Sequence, residues 1–537
     1  MHVYYGNVIL VILIIPGVYE FKAQQNRLVS RIKCKRGVAT ESLNYETYNK
    51  QRVIMLRNNI EFEESLQDAR KVFYEGSLVE DVTQHPILGV AAKHASYLFK
   101  WQNEREYSDL LACDDVTHGR ISSFYKIPRT PEDLKKRFEL IYQTTRLGRG
   151  MFNIVKAIGS DAIFALMLVS RIVDAEYGTE YRKRVNDFYE AVVDRDLALA
   201  VAQTDVKGNR IKRPSEQVDK DMYLRIVERR DDGIIVSGAK AHTTQSIASN
   251  EIIVIPTRSM SEADKDYAVA FAIPPNTKGL TMISRPMKAS ENARNDPSLV
   301  IGNNNAENET LTIFDEVFVP WNRVFLAGEW KYAGLLASMF PTYHRFTAIA
   351  YRAAMGDLYL GLGKLIAEHN GTSETSNIRR NVVKLMTYKE TLRLAGNGAA
   401  DFAEKDGGSD ICVPNRVYTN VGKLFANENY LDSVKNLVDI AGGLASTLPH
   451  SNDLNNPAER PLLLKYLSGA MPGKTEERIR LISTVREIIS SYGALFTSAM
   501  IHAEGSIEAS IIELYRSYDY GESKKLALFS SGVNDTL

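Results

Sequence analysis

The chain has 537 residues, of which 44% are hydrophobic and 25% charged, and its 66 Lys plus Arg balance its 66 Asp plus Glu. This is ordinary globular composition, which excludes a mainly disordered, collagen-like or membrane-embedded chain. Charge balance leaves no electrostatic footprint for nucleic acid or an anionic membrane. The three cysteines, Cys34, Cys113 and Cys412, stand far apart. There is therefore no CxxC pair and no disulfide framework, and a reducing cytoplasm is the expected compartment.

The first feature along the chain is the run VILVILII, Val8 to Ile15, followed by Pro16 and Gly17. It is too short to span a bilayer as a helix. As a signal-peptide core it lacks a preceding Lys or Arg and a following Ala-x-Ala site, and its β-branched residues suit a buried strand. Lys22, Arg27, Arg31, Lys33, Lys35 and Arg36 follow. Residues 1–39 are read as an appended segment, hydrophobic or started too far upstream, in preference to a membrane anchor. No later stretch reaches ~18 uninterrupted apolar residues.

Residues 40–204 read as a helical domain. Pro131–Tyr142 and Asp161–Val173 repeat apolar residues at three- and four-residue spacing, and Thr130 is placed to cap the first of these helices. Residues 205–320 read as a β domain. Its short β-rich runs are Met222–Val227, Ile234–Val236, Glu251–Pro256, Tyr267–Pro274 and Leu311–Phe314, and Asp231-Asp232-Gly233 is a hairpin signal. From 321 to 537 helix returns. Ile378, Val382, Leu385, Met386, Leu392 and Ala395 are expected on one helical face, Leu462–Leu467 and Ile479–Ile511 continue the texture, and Pro449–Pro461 is a loop. Such a bundle commonly hosts a cofactor between elements.

The chain has no GxxxxGK[ST], HExxH or GxSxG, so hydrolase and P-loop chemistry has little support. Gly238–Asn250 reads GAKAHTTQSIASN and crowds Thr243, Thr244, Gln245, Ser246 and Ser249 into a strand-to-strand turn. Neutral donors and acceptors of this kind suit a flat, polar-edged cofactor ring, and equally a solvated turn. In QTDVKGNR, Gln203 and Thr204 offer uncharged hydrogen bonds, while Lys207 and Arg210 offer charge for a pyrophosphate; a plain polar loop is the other reading. His344, in PTYHRF, is either a satisfied structural histidine or a catalyst. Taken alone, Arg149 and Glu309 are ordinary surface candidates.

The stretch DMYLRIVERRDDGIIVSGAKAHTTQSIASNEIIVIPT resembles the superfamily containing 4-hydroxyphenylacetate 3-hydroxylase and 4-hydroxybutyryl-CoA dehydratase. So do EADKDYAVAFAIP, IFDEVFVPWNRVFL, IAGGLASTLP and the tail from Ile501 to Lys524. The likeness runs from about Thr40 to Val533 and is closer to the dehydratase branch. It implies an α+β, acyl-CoA dehydrogenase-like fold, with an N-terminal helical domain, a middle β domain and a C-terminal helical bundle. It also implies FAD and a homotetramer. By resemblance the flavin is held by the loop from Gln203 to Asn209 (Gln203, Thr204, Lys207 and Asn209), by Thr244 with Gln245 beside it, and by Gly442-Gly443, which often reaches a neighbouring subunit.

The dehydratase branch carries a four-iron cluster on three Cys and one His, soft thiolates being what such clusters require. Its Cys-x3-Cys pair falls here on Asn153 and Ala157, and its His-x6-Cys pair on His344 and Tyr351. One ligand of four remains, so no metal site is expected. A family Tyr is Ala348 and a family Glu is Ala499, whereas His502 is kept and Glu309 matches an active-site Glu. The hydroxylase branch takes reduced FAD from a separate reductase and uses oxygen to hydroxylate a phenol. Its substrate Arg matches Arg149, its Tyr falls on Asn153, and its His falls near Ala200.

The leading expectation is a hydroxylase-type FAD oxidoreductase acting on an aromatic substrate. Arg149 would position an anionic group, His344 would act as acid, base or hydrogen-bond donor, and Asn153 would orient. The second is a cluster-free acyl-CoA isomerase or dehydratase in which His344 and Glu309 shuttle protons. The third is a non-catalytic flavin-binding paralogue, whose pocket would be refilled by apolar groups around Ala157, Ala348 and Ala499.

Overall fold

The computed structural model describes residues 2–5, 8–11, 56–287, 299–490 and 500–533. The chain divides into Met1–Arg52 and Val53–Leu537. In the first unit, β1 (His2–Tyr5) pairs antiparallel with β2 (Val8–Val11), His2 opposite Val11. The front of the apolar run is thus a strand, as its β-branched residues favour. The rest of that run, its basic residues and Cys34 lie outside the described residues.

The second unit opens with helices whose ends are written in the sequence. Thr130 accepts from the Asp133 backbone N–H at 3.1 Å while the Asp133 carboxylate accepts from the Thr130 N–H at 3.0 Å. This reciprocal cap, with Pro131 in the first turn, starts the helix Pro131–Leu147. Thr130→Ala should cost about 1 kcal/mol in a urea titration. The helix Ala157–Tyr177 ends at Gly178, whose φ of 67° is left-handed. Tyr181–Arg195 follows.

Two sheets form the middle of the unit. One has the order β4 (Ser77–Val79), β3 (Val72–Tyr74), β12 (Leu280–Ser284), β13 (Glu309–Pro320), β9 (Gly233–Thr244), β8 (Arg225–Arg229), and the other β14 (Val324–Ala327), β11 (Val269–Ile273), β10 (Glu251–Val254), β7 (Leu199–Ala202), while β5 (Ala112–Asp115) and β6 (Gly119–Ser122) pair apart from both. In the first, β8 (Arg225–Arg229) turns through Asp231–Gly233 into β9 (Gly233–Thr244), which pairs antiparallel with β13 (Glu309–Pro320). The expected hairpin is therefore present. Both sheets extend beyond residues 205–320. β3 (Val72–Tyr74) and β4 (Ser77–Val79) come from the helical region, β7 (Leu199–Ala202) from its end, and β14 (Val324–Ala327) from beyond Pro320. β10 (Glu251–Val254), β11 (Val269–Ile273) and β12 (Leu280–Ser284) complete them. β7 is buried at all four positions, so it carries no alternation by which to recognise it.

Beyond the sheets runs the 40-residue helix Trp330–His369, buried without a break from Thr342 to Gly356. It packs against Pro131–Leu147, Ala157–Tyr177, Ser376–Asp401 and Arg416–Ala441. Gly396 is needed at one crossing, where a Cβ would come within 2.1 Å of the Phe138 ring. The expected apolar face of Ser376–Asp401 is correct at Ile378, Leu385 and Leu392, but Met386 is exposed, as are Val383 and Leu394. Thr475–Ser490, Ile507–Ser517 and Gly521–Ser530 close the chain, and Ala499 lies outside the described residues. Among the described residues no helix is long and apolar enough to cross a membrane.

Candidate active site

His344, Thr347 and Tyr351 share one face of the long helix, at three- and four-residue spacing. His344 Nδ1 lies 3.0 Å from Asp161 Oδ2 on the Ala157–Tyr177 helix. An ionised carboxylate only accepts, so Nδ1 carries the proton and Nε2 is left for chemistry. Asp161 is fully buried and also accepts from Arg137 Nη2 at 2.6 Å and Thr347 Oγ1 at 3.0 Å. The His344 ring stacks on Phe340 with centroids 5.2 Å apart. His344 is thus oriented from both sides.

Two turns beyond His344, Tyr351 stacks on Phe152 at 4.6 Å and donates through its hydroxyl to Glu504 at 2.6 Å. Arg352 Nη1 donates to the same carboxylate at 2.8 Å. Burial pushes the Glu504 carboxyl up, but Arg352, with His344 and Lys423, outweighs it and the net shift is down. The tail segment around Glu504 is held by its carbonyls. Arg352 donates to Met500 O at 2.9 Å, Asn427 to Ile501 O at 2.7 Å, Arg345 to Glu504 O at 3.1 Å and Lys423 to Gly505 O. Burial lowers the Lys423 ammonium to about 7 against the pull of Glu504.

Glu307 faces the same region. Burial raises its carboxyl well above the usual range, and the charges of Glu309 and Glu504 add to this while Arg285 opposes it. Glu309, at the start of β13, is only partly buried and pairs with Arg285 Nε at 3.2 Å. Asn153, on the loop before the Ala157–Tyr177 helix, is fully buried and donates to His94 O at 2.5 Å. His344 and Glu307 are thus linked through the charge of Glu504, and Glu309 to Glu307, whereas Asn153 is tied to His94. Arg149 is exposed, with a left-handed φ of 56°, and its charge acts on Tyr97.

The expected flavin loop lies against β9. Asp205 bridges to Lys240 in backbone pairing and through a buried ion pair of 2.6 Å. Gln203 and Thr204 are half-buried; Gln203 Nε2 reaches Pro256 O at 3.5 Å, and Thr204 O accepts from the Ala241 N–H at 2.8 Å. Lys207 and Asn209 are exposed. Lys207 is lowered first by burial, then by Arg210 and Arg258. The positive charges of Lys207, Arg210 and Arg258 act on one another here, and such a set suits a pyrophosphate.

The hydroxyl-rich turn needs correction. Thr243 accepts from Thr312 at 2.9 Å, Ser246 bonds Thr310 at 2.7 Å and Ser249 donates to Ser246 O at 3.0 Å, all buried. The Gln245 side chain is fully buried too. Its amide donates to Ala91 O and Ala306 O, and its oxygen accepts from the Asn308 N–H. Gln245 therefore fastens the strand end, and its side chain does not present itself to a ring; Thr244 is the half-buried one. Gly442 and Gly443 are exposed at the end of the Arg416–Ala441 helix, where a Cβ would meet nothing within 4 Å.

An iron–sulfur cluster does not fit these residues. Asn153, Ala157 and Tyr351 offer no thiolate, and the Tyr351 hydroxyl is committed to Glu504. Among the described residues no group of three or more His, Cys, Asp or Glu could hold a metal ion. Of the three positions where apolar refilling would mark a non-catalytic paralogue, Ala157 and Ala348 are buried, the Ala157 carbonyl accepting from Arg137 beside Asp161. Asp161, Glu307 and Glu504 escaped the sequence reading because their partners are distant in the chain, Asp161 lying 183 residues from His344.

The family model for the 4-hydroxyphenylacetate 3-hydroxylase N terminal matches residues 58–326, and that for its C terminal matches 333–528. The chain is 30% identical over 494 residues to the 4-hydroxybutyryl-CoA dehydratase/vinylacetyl-CoA-Δ-isomerase of Clostridium aminobutyricum, covering 89% of this chain and 100% of that one. It is 27% identical over 444 residues to the 4-hydroxyphenylacetate 3-monooxygenase oxygenase component of Thermus thermophilus, covering 82% and 90%. Among solved structures, the oxygen-tolerant archaeal 4-hydroxybutyryl-CoA dehydratase of N. maritimus superposes with a TM-score of 0.83 at 30% identity, over 89% of this chain and 96% of that one. The oxygenase component of 4-hydroxyphenylacetate 3-monooxygenase, complexed with FAD and 4-hydroxyphenylacetate, gives 0.80 at 24% identity, over 89% and 99%, a likeness of fold. These relatives are enzymes.

Proposed function

This chain belongs to the 4-hydroxyphenylacetate 3-hydroxylase family, and on that premise we propose that it is the oxygenase component of a flavin-dependent monooxygenase. It takes reduced FAD from a separate reductase and acts with oxygen on an aromatic substrate. What supports this reading is His344 held on Asp161 at 3.0 Å, with no thiolate at Asn153, Ala157 or Tyr351, together with the Lys207 and Arg210 charges on the loop that opens at Gln203.

Reduced FAD, when bound, supplies the electrons for activating oxygen. Lys207, with Arg210, would hold its pyrophosphate, Gln203, Thr204 and Asn209 would give neutral hydrogen bonds, and Thr244 would offer its hydroxyl to the flavin. Gly442-Gly443 of a neighbouring subunit completes the cradle in a homotetramer, which would also cover the exposed Val383 and Leu394. At the substrate, Arg149 attracts an anionic end, Asn153 orients, and His344 Nε2 exchanges the proton of the reacting group. A cytoplasmic location belongs to the same proposal.

Lys207→Met should weaken FAD binding about tenfold, as loss of one charge-assisted contact implies; a flavin fluorescence titration checks it. An absorption spectrum of the purified protein, with iron assayed on the same sample, tests the whole reading. Flavin bands without iron are expected, and stoichiometric iron would overturn it.

A second reading, a cluster-free acyl-CoA isomerase or dehydratase, has the 30% identity to the Clostridium enzyme in its favour. There His344 and Glu309 would move protons. The occupants of the ligand positions, Asn153, Ala157 and Tyr351, weigh against it.

A further inference from the structure

The strand β9 is irregular where it passes the loop that opens at Gln203. On β13, Thr310 and Thr312 are two residues apart, but their partners on β9, Thr243 and Lys240, are three apart. Ala241 and His242 therefore share the place opposite Leu311, and bulges of this kind re-aim a side chain. His242 absorbs the extra length with a left-handed φ of 56°. Outside glycine such a backbone is uncommon, and it persists only where its surroundings hold it. The loop does so here. The Ala241 N–H donates to Thr204 O at 2.8 Å, and the buried Lys240 ammonium donates to Gln203 O at 2.8 Å and to Asp205 at 2.6 Å.

The bulge leaves His242 exposed, one residue on from the Thr204 contact and two before Thr244, which pairs with Glu309 across the ladder. Among the described residues its ring has no hydrogen bond and no ion pair. Charges act on it from both sides. Partial burial lowers the proton affinity of the ring first, Lys207 lowers it further, and Glu309 raises it. Arg210 and Arg258 act on Lys207 in the same sense, and Glu309 is shared with Arg285 at 3.2 Å. Lys240 and Asp205 neutralise each other in their own pair. The ring therefore stands in a surplus of positive charge, and the carboxylate that acts on it is already engaged. An anion on the loop would offset Lys207 and give a charged imidazole its counter-charge.

We propose that His242 is a further binding residue of the pyrophosphate site on this loop, and that its ring takes up one proton from solvent when the site fills. The proton passes from water to the free ring nitrogen, and the imidazolium adds its charge to those of Lys207 and Arg210. Filling of the site is thereby favoured by acid. This assignment deepens the proposed function and rests on it for the loop's role. The chemistry recognised is an adenine-linked pyrophosphate, which FAD and coenzyme A both carry.

The test is calorimetry of the full chain, freed of bound flavin, in two buffers of different protonation heat. The probes are FAD, ADP-ribose, which keeps the pyrophosphate without the flavin, riboflavin, which keeps the flavin without the pyrophosphate, and coenzyme A. FAD and ADP-ribose should bind with proton uptake, and riboflavin without it. Affinity for FAD should rise about tenfold from about pH 8 to about pH 6, the worth of one charge-assisted contact. His242→Asn, whose side chain tolerates the left-handed backbone, should bind FAD with no uptake and with equal affinity at both pH values. The wild type alone supplies a readout that needs no variant to fold. In protein labelled with 15N-histidine, FAD should move the His242 ring resonances toward the imidazolium position, and riboflavin should leave them in place. FAD bound without proton uptake, uptake kept in His242→Asn, or ring resonances that FAD leaves unmoved would overturn the assignment and leave the cofactor reading standing. Uptake that depends on His242 with coenzyme A, in a chain that does not bind FAD, would support the assignment and defeat the cofactor. Binding of no pyrophosphate probe would defeat both.

Discussion

Asp161→Asn is expected to destabilise the protein by about 3–5 kcal/mol, because it breaks a buried pair and leaves the other charge uncompensated. Arg137 and Asp161 are 4% and 0% exposed at their side chains. Arg137 would keep its bonds to Phe124 O, Ala157 O and Ser160 Oγ but lose its counter-ion. A urea titration of Asp161→Asn measures the loss. The double variant with Arg137→Met should be less damaged than Asp161→Asn alone, since removing both charges is cheaper than stranding one. The same substitution deprives His344 Nδ1 of the acceptor that sets its tautomer. Turnover should fall about a hundredfold, the usual cost of losing such an orienting partner. Unchanged stability together with unchanged turnover would remove Asp161 from both roles.

Acid should weaken the fold through His94. Its ring is lowered from 6.5 to about 4 in the folded state. Stability from a group with a depressed pKa is present above the unfolded value and is lost as pH falls through the folded one. The window is therefore pH 6.5 down to about 4, and the loss across it is about 3 kcal/mol. His94→Gln should flatten that slope in chemical denaturation measured at several pH values. Glu307 works in the opposite sense. Its carboxyl is raised, chiefly by burial and then by Glu309, so its contribution is complete below about pH 4.3 and declines as pH rises. Glu307→Gln should stabilise the protein at neutral pH and leave it unchanged in acid. A His94→Gln slope equal to that of the wild type would show that the ring is not held neutral.

These groups show which parts of the structure the sequence could reveal. Thr130, Pro131 and Asp133 act within one turn, so their helix start is legible from four residues. The Asp231–Gly233 hairpin is local in the same way. β7 and β14 were not legible: each is four buried residues with no alternation, and each finds its partner through a neighbour strand distant in sequence. The candidate site residues follow the same division. Gln203–Asn209 and Thr244 stand out because polar residues cluster in short loops. The partners of His344 and Tyr351, namely Asp161 and Glu504, lie on other elements more than a hundred residues away. Gln245 shows the reverse error: a polar side chain expected at a cofactor is a buried fastener of β9 and the Ala306–Asn308 backbone.

The relatives divide between two chemistries, and the account rests on oxygen chemistry at a flavin. The most direct measurement mixes the purified chain with chemically reduced FAD and labelled oxygen gas in the presence of 4-hydroxyphenylacetate and a panel of other phenols. The hydroxylated product is analysed by mass spectrometry, with His344→Ala as comparison. The account predicts a catechol-type product carrying one labelled oxygen atom, formed by the wild type and strongly diminished in the variant. Flavin oxidation with no labelled product from any phenol, in a sample that isomerises or dehydrates a 4-hydroxyacyl-CoA, would contradict it.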